Sequence, residues 1–330
     1  LPSPTRQIVV VAPEADGALL ADALAQAHPE HHAVDLRADV AAGRVRVNGE
    51  DCVTNRRVRA GDVVEWSPGT APRGPAAPRG GAPGLDVLWE GAAALVVAKP
   101  AGLVTVPDRS GKEGGVHAQL AALRPDADLR IVHRLDRDTS GCLLLAKGLA
   151  AAQHFDRQFS GALVRKTYVA LAQGEVVRDA FAIDAWLGPD RRRPGKVVAS
   201  HRELPGFKAA HTDVAVRERF ARHTLLELRP TTGRSHQIRV HLQSIGHSIV
   251  GDRDYGGEEL LLSRLKPGYK LRKGAPERPL LARMFLHAER LSFVDVDGAA
   301  VAVECPLPED LAVALRQIAS HDERRRRPCD

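Results

Sequence analysis

At 330 residues, with 44% hydrophobic and 27% charged side chains, the chain has the composition of a globular protein long enough for two domains of roughly 150 residues each. That excludes disordered, collagen-like and fibrous classes for most of its length. The net charge is +6, carried by 38 arginines against 9 lysines; arginine forks onto phosphate and stacks on bases, so a nucleic-acid partner gains weight, although Arg-favouring codon usage gives the same bias.

No apolar run, Ile8 to Ala12 and Leu143 to Ala146 included, approaches the roughly 18 residues of a membrane span. The start, Leu-Pro-Ser-Pro, lacks a basic segment followed by an apolar one, so no secretory signal is expected. Cys52, Cys142, Cys305 and Cys329 form no CxxC pair, which argues against a zinc ribbon, a thioredoxin-like site or a disulfide framework. The expectation is a reduced, metal-free, cytoplasmic monomer.

In chain order, Leu19, Leu20, Ala23, Leu24 and Ala27 recur at helical spacing, and a second helix is predicted over 33–42, ended by Gly43. Val45-Arg46-Val47 then alternates into Asn48-Gly49, a favoured hairpin turn, and Val58, Val63 and Val64 predict further short strands around Gly61-Asp62. Residues 1–66 thus read as a small α/β domain. Seven arginines against ten acids give it a net charge of −3, so any grip on a polyanion must be local, through Arg44, Arg46, Arg56, Arg57 and Arg59.

Residues 67–84, with five prolines and five glycines, read as a linker. Beyond it, 85–320 read as the main domain and 321–330 as a basic tail around Arg324 to Arg327. Strands are predicted at 165–174, 212–217, 224–229 and 291–304 around Asp297-Gly298, and helices near 149–160, 235–245 and 309–319. Strand runs punctuated by isolated helices predict an α+β domain on a largely antiparallel sheet.

The chemistry concentrates at 131–141, where charged residues precede the apolar run Cys142 to Ala146. Asp136 has Arg134 and Arg137 beside it. A carboxylate among cations is suited to act as nucleophile or electrostatic stabiliser, though surface ion pairing produces the same pattern. Asp136 and Asp138 are a formal glycosidase pair, but such carboxylates flank the scissile bond, and Asp138 before Thr139-Ser140-Gly141 more naturally caps a turn. His236 and His241 are five apart, the wrong spacing for a helical zinc pair. Glu113 follows Gly111-Lys112 where a P-loop needs Ser or Thr.

Five segments carry a more specific signal: HRLDRDTSG at 133–141, RKTYVAL at 165–171, TGRSHQIRVHL at 232–242, IGHSIVGDRDYG at 245–256 and FLHAERLSF at 285–293. In order and approximate spacing they resemble the RluA-type pseudouridine synthases over about 86–306. The helix, helix, GRVRVNG, VRAGDVVEW order ahead of the linker resembles an S4 RNA-binding module, although Gly17-Ala18-Leu19 departs from its usual basic start. Within the catalytic motifs the departures are Ser235 where threonine is usual, Cys142 after TSG, and Val104-Thr105-Val106-Pro107 in a loop that often contains a histidine.

The resemblance implies a mixed, largely antiparallel sheet of pseudouridine-synthase type that isomerises uridine in RNA without a cofactor or metal. Ribosomal RNA is the expected substrate, with transfer RNA the alternative; the rival readings are a non-catalytic ribosome-assembly factor and an RNA N-glycosidase. Asp136 is implied as the catalytic aspartate, attacking the nucleotide or drawing a proton from its ribose. Arg234 is expected to pair with Asp136 and keep it ionised, its other reading being a phosphate clamp at a helix start. Tyr168 would stack on uracil and help remove a proton, Ile238 would pack on the other side of the base, and Arg134 would fill the stack that the flipped nucleotide leaves. Arg165 and Lys166 are expected to contact phosphate.

Overall fold

The computed structural model describes residues 7–28, 36, 39–40, 44–52, 56–67, 85–106, 115–125, 127–266, 268–270 and 276–322. It contains two compact units, Leu1–Arg79 and Gly80–Asp330. Most of the expected linker, much of the second helix expected over 33–42, the 111–114 stretch, Pro107, Cys329 and most of the basic tail lie outside the described residues.

In the first unit, β1 (Gln7–Val10), β2 (Val45–Val47), β3 (Glu50–Cys52) and β4 (Val63–Trp66) form an antiparallel sheet in the order β1-β4-β2-β3. The β2–β3 turn is Asn48-Gly49, both at positive φ (54° and 83°), the geometry that matches strand twist in a two-residue hairpin. Helix α1 (Leu20–Ala27) buries Leu20, Ala21 and Leu24 against Val45, Val47, Val64 and Trp66, with Leu36 and Val40 in the same core. The expected strand at Val58 is absent: Arg57 makes only an isolated bridge to Leu19, and the Val58 backbone pairs with Gly17 and Ala18. That segment closes a loop rather than extending the sheet.

Among the described residues the second unit is built on an eleven-stranded sheet. Its main path runs β11 (Val197–Ser200), β10 (Ala180–Pro189), β12 (Lys208–Arg219), β13 (His223–Pro230), β9 (Arg165–Gln173), β14 (Leu286–Val294), β8 (Ser140–Lys147), β6 (Ala94–Lys99), β5 (Asp86–Glu90). Strand β15 (Ala300–Glu304) pairs with β14, and β7 (Leu129–Ile131) with β8. All neighbours are antiparallel except β8 and β14, which run parallel and meet only at Ser140/His287 and Gly141/Ala288. The sheet is therefore mixed but largely antiparallel, as expected of an α+β domain.

Helices cover it: α2 (Gly115–Leu123), α3 (Leu149–Ser160), α4 (Gln237–Ser244), the single turn α5 (Leu262–Leu265) and α6 (Glu309–His321). Helix α6 buries Leu311, Ala314 and Ile318 in a core with Leu226, Leu228, Leu242 and Phe285, while α3 seats Phe155 against Leu144, Leu291 and Phe293. Each apolar stripe recurs at three or four residues, the spacing that keeps one helical face on a sheet. Among the described residues no helix is long and apolar enough to cross a membrane.

The short parallel contact places the entrance to β8 at the centre of the sheet. Gly141 stands there at φ 122°, and a Cβ on it would lie 2.2 Å from the Ala288 carbonyl oxygen. No side chain can adopt that backbone at that distance without separating the strands. Gly141→Ala is expected to cost about 3 kcal/mol, lowering the thermal midpoint by roughly 6–12 °C; differential scanning calorimetry measures it, and an unchanged midpoint would contradict the packing.

Candidate active site

The loop 132–139 leaves β7 and enters β8 at that central contact, and it is anchored at nearly every step. The His133 ring nitrogen Nε2 accepts the Leu144 N–H at 2.9 Å. Thr105 Oγ1 donates to the Leu135 carbonyl (2.8 Å) and accepts from its N–H (3.2 Å). The Thr139 N–H donates to the Asp136 carbonyl at 3.1 Å, closing a turn. Ser140 Oγ lies 2.9 Å from His287 Nδ1; because His287 Nε2 faces the Cys305 carbonyl, a pure acceptor, at 3.0 Å, Nε2 carries the proton and Nδ1 receives the serine hydroxyl.

Below the loop, Lys99 is almost fully buried, and its ammonium donates to the carbonyls of Pro100, Leu103 and Arg137 at 2.8, 2.7 and 2.9 Å. Burial pushes its pKa down to about 8, opposed by the nearby charges of Asp138 and Asp136. One cation thus ties the end of β6 and the loop after it to the segment carrying Asp136.

Asp136 is 27% exposed, and its Oδ2 accepts from Arg239 Nη1 at 3.2 Å. Arg239 is 9% exposed and held on its other edges: Nε to Asp252 Oδ2 at 2.7 Å, Nη2 to Asp252 Oδ1 at 2.8 Å, Nη2 to Asp254 Oδ2 at 3.1 Å. Its flat face covers the Tyr255 ring at 4.7 Å. The Tyr255 hydroxyl accepts the Val197 N–H (3.0 Å) and donates to His236 Nδ1 (2.6 Å). Burial is the largest single influence and lowers the Arg239 pKa, but its acidic neighbours Asp252 and Asp136 together outweigh it and raise the pKa above its ordinary value. A bidentate partner on one edge and a ring on one face leave the guanidinium a single orientation, and Nη1 then faces Asp136.

The expected Arg234–Asp136 pair is not formed. Arg234 lies in the loop before α4, exposed, with Nε on the Ala209 carbonyl at 3.0 Å and its own N–H on Gln237 Oε1 at 3.0 Å. Gln237 is itself fixed to Thr232 Oγ1, the His211 carbonyl and Thr212 Oγ1 at 2.7, 2.9 and 3.0 Å, so the loop is pinned away from the carboxylate. The cation that reaches Asp136 is the one inside α4, on its buried face. Asp252, Asp254 and Tyr255, within a quoted motif but assigned no role from sequence, complete the cradle; two acids flanking one residue in GDRDYG, near a buried helical arginine, were the available signal. Lys99 in the apolar β6 was a weaker one.

The remaining expected residues divide. Tyr168, on β9 opposite Ala288, is half-buried; its pKa is raised, by burial first and then by the Asp136 charge, which joins it to the same site. Arg134 is exposed, with Nη2 on Ser235 Oγ at 2.7 Å, linking the Asp136 loop to the α4 loop. Ile238 is buried in the core against which Tyr168 packs. Lys166 donates to the Thr232 carbonyl at 3.1 Å, burial holding its pKa down, and Arg165 is exposed at the start of β9. In the first unit Arg44 and Arg46 pair with Asp39 and Asp51, both at 2.6 Å, while Arg57 donates to the Gly17 carbonyl at 2.5 Å. Among the described residues no cluster of His, Cys, Asp and Glu has the arrangement of a metal site.

Together these residues make a partly exposed carboxylate, fixed by a buried cation and close to a tyrosine, in an α+β fold that has known relatives. The family profile described as RNA pseudouridylate synthase matches residues 93–244. The chain is 35% identical over 284 residues to ribosomal large subunit pseudouridine synthase C of Escherichia coli (strain K12), covering 84% of this chain and 85% of that protein. It is 34% identical over 322 residues to ribosomal large subunit pseudouridine synthase D of Xanthomonas campestris pv. campestris, covering 94% and 92%. The solved structure of human RNA pseudouridylate synthase domain containing 4 matches with a TM-score of 0.55 and 25% identity, over 71% of this chain and 92% of that one.

The chain belongs to the RluA-type RNA pseudouridine synthases, and it is an isomerase that acts on RNA.

Two measurements check this site. Asp252→Asn removes the buried anion facing Arg239 and should cost about 3 kcal/mol, read by urea unfolding; a neutral effect would show that Arg239 does not depend on it. Burial also drives His133 and His241 down to about 3 and about 4. From the ordinary 6.5 downward the unfolded chain therefore binds protons that the folded chain refuses, and stability falls as pH drops toward 4. Urea unfolding between pH 7 and pH 4 should show that loss, whereas a level profile from 6.5 to 5 would contradict it.

Proposed function

We propose that this synthase converts uridine to pseudouridine in large-subunit ribosomal RNA, with Asp136 as the catalytic carboxylate. The observation that carries the reading is the Asp136–Arg239 pair: a partly exposed carboxylate held on a buried, fully engaged guanidinium. The ribosomal substrate is supported by the two bacterial relatives, both named as large-subunit enzymes.

The reaction breaks the N1–C1′ bond of uridine and forms C5–C1′; N1 gains a proton and C5 loses one, so no redox partner or group donor is required. The target atoms are hidden in a stacked RNA, so the nucleotide must flip out to meet Asp136. The carboxylate then attacks the nucleotide or removes a ribose proton; Arg239 fixes its position on either path. Tyr168 stacks on the base with Ile238 packed on the base's other side; its raised pKa keeps the phenol protonated, so it takes up the C5 proton only as its own hydroxyl proton passes to solvent. Arg134 leaves Ser235 to fill the vacated stack. Arg165 and Lys166 meet the backbone phosphates, and Arg234, exposed in the loop before α4, contributes as a phosphate clamp rather than as the aspartate's partner.

The first unit acts in this reading as an S4-like RNA contact through Arg46 and Arg57. The exposed Arg46–Asp51 pair is screened by water and weak, so a phosphate displaces it readily. Arg44 is less available, because Asp39 also accepts the Trp66 indole N–H at 2.8 Å.

The test is tritium release from large-subunit ribosomal RNA labelled at uracil C5. The wild-type protein should release tritium without liberating uracil, and Asp136→Asn should fall by at least about 10³-fold. Free uracil would identify an N-glycosidase, and an active Asp136→Asn protein would remove Asp136 from the chemistry.

A further inference from the structure

The hairpin joining β10 to β11 ends in Asp190-Arg191-Arg192-Arg193-Pro194-Gly195-Lys196. Its tip is closed by backbone bonds from Asp190 N–H to the Lys196 carbonyl (2.9 Å) and from Lys196 N–H to the Arg193 carbonyl (3.0 Å). Three contacts fasten its base to the turn after α4. Lys196 Nζ lies 2.5 Å from Asp254 Oδ2, Arg193 Nη1 donates to the Asp254 carbonyl at 3.2 Å, and the Val197 N–H donates to the Tyr255 hydroxyl at 3.0 Å.

The same turn carries the groups, Asp252, Asp254 and Tyr255, that hold the edges and face of Arg239 not turned to Asp136. Asp254 Oδ2 is shared by Lys196 and Arg239, so Lys196, Asp254, Arg239 and Asp136 form one chain of alternating charges from the hairpin to the Asp136 carboxylate. Asp254 is 43% exposed, unlike the buried Asp252; without Lys196, little restrains its side chain from turning to water. Arg239 would then lose the acceptor that limits its tilt about the Asp252 fork, and the tilt moves Nη1, the atom on Asp136. Each exposed pair in such a chain is weak alone, but a small displacement of a reacting group costs rate disproportionately.

We propose that Lys196 is a positioning residue for the isomerisation: by holding Asp254 against Arg239 it sets the place of the Asp136 carboxylate. This rests on the reading of Asp136 as the catalytic group. It also joins recognition to chemistry, because Arg191 and Arg192 beside Lys196 make no ion pair among the described residues and have the charge and fork geometry to take an RNA backbone phosphate. The loop that meets the substrate is thereby linked to the carboxylate that acts on it.

Steady-state tritium release on the same labelled RNA tests the proposal, with Lys196→Met, Lys196→Arg, Asp254→Asn and the double variant Lys196→Met with Asp254→Asn. Lys196→Met should lower kcat about tenfold while KM stays within about twofold and the melting temperature holds. Lys196→Arg should recover most of the rate, and the double variant should be no slower than Asp254→Asn alone, since both changes cut one link. An unchanged kcat overturns the proposal. So does a rise in KM with a shallower salt dependence, which would make Lys196 a plain phosphate contact, and so does additive loss in the double variant. A wild-type protein that releases no tritium would fail the underlying reading of function instead, a result distinct from any of these.

Discussion

A guanidinium with one free direction organises this enzyme. Arg239 cannot leave the protein: its Nε and Nη2 are bridged by Asp252, Asp254 takes a second bond on Nη2, and Tyr255 lies under its face. Burying that much charge is costly and repays itself only with nearly complete pairing. The remaining donor, Nη1, is the one that meets Asp136. What would otherwise be a loop carboxylate is thereby given a fixed place, and the desolvation penalty of one residue becomes the preorganisation of another.

The sheet makes that meeting possible. Asp136 and Arg239 are 103 residues apart and come together because β8 and β14 touch in parallel over only two residue pairs. The loop before β8 therefore emerges at the middle of the sheet. Gly141 permits the close approach there, Lys99 and Thr105 hold the loop from below, and the Ser140–His287 bond closes its far end. His133, Leu135 and the Thr139 N–H are each bonded within the protein, although the buried Thr139 hydroxyl has no partner among the described residues, and Asp136 keeps a partly exposed carboxylate.

Much of this was legible in the sequence. Periodicity located α3, α4 and α6 to within a few residues because each buries one apolar face, and Asn48-Gly49 and Asp297-Gly298 marked their hairpin turns through local turn chemistry. The strands β5, β6, β10 and β11 were missed: β6 is apolar on both faces, with no alternation to read, and β10 and β11 derive their burial from distant partners. Motif order singled out Asp136 and Tyr168 and suggested the chemistry. It misassigned the cation, since Arg234 and Arg239 stand in one motif and only the three-dimensional course of the α4 loop, pinned by Gln237, decides which arginine faces inward. The cradle of Asp252, Asp254 and Tyr255 was visible as residues but not as a cradle, because spacing carries no information about which charge a carboxylate will meet.

The most direct test of the central claim is a crystal structure of the protein bound to an RNA that carries its target uridine. The account predicts a nucleotide turned out of its helix, its C1′ or ribose within about 3.5 Å of an Asp136 oxygen, with Arg239 still on that carboxylate. A nucleotide seated elsewhere, or an Asp136 released from Arg239 and pointing away from the sugar, would contradict it.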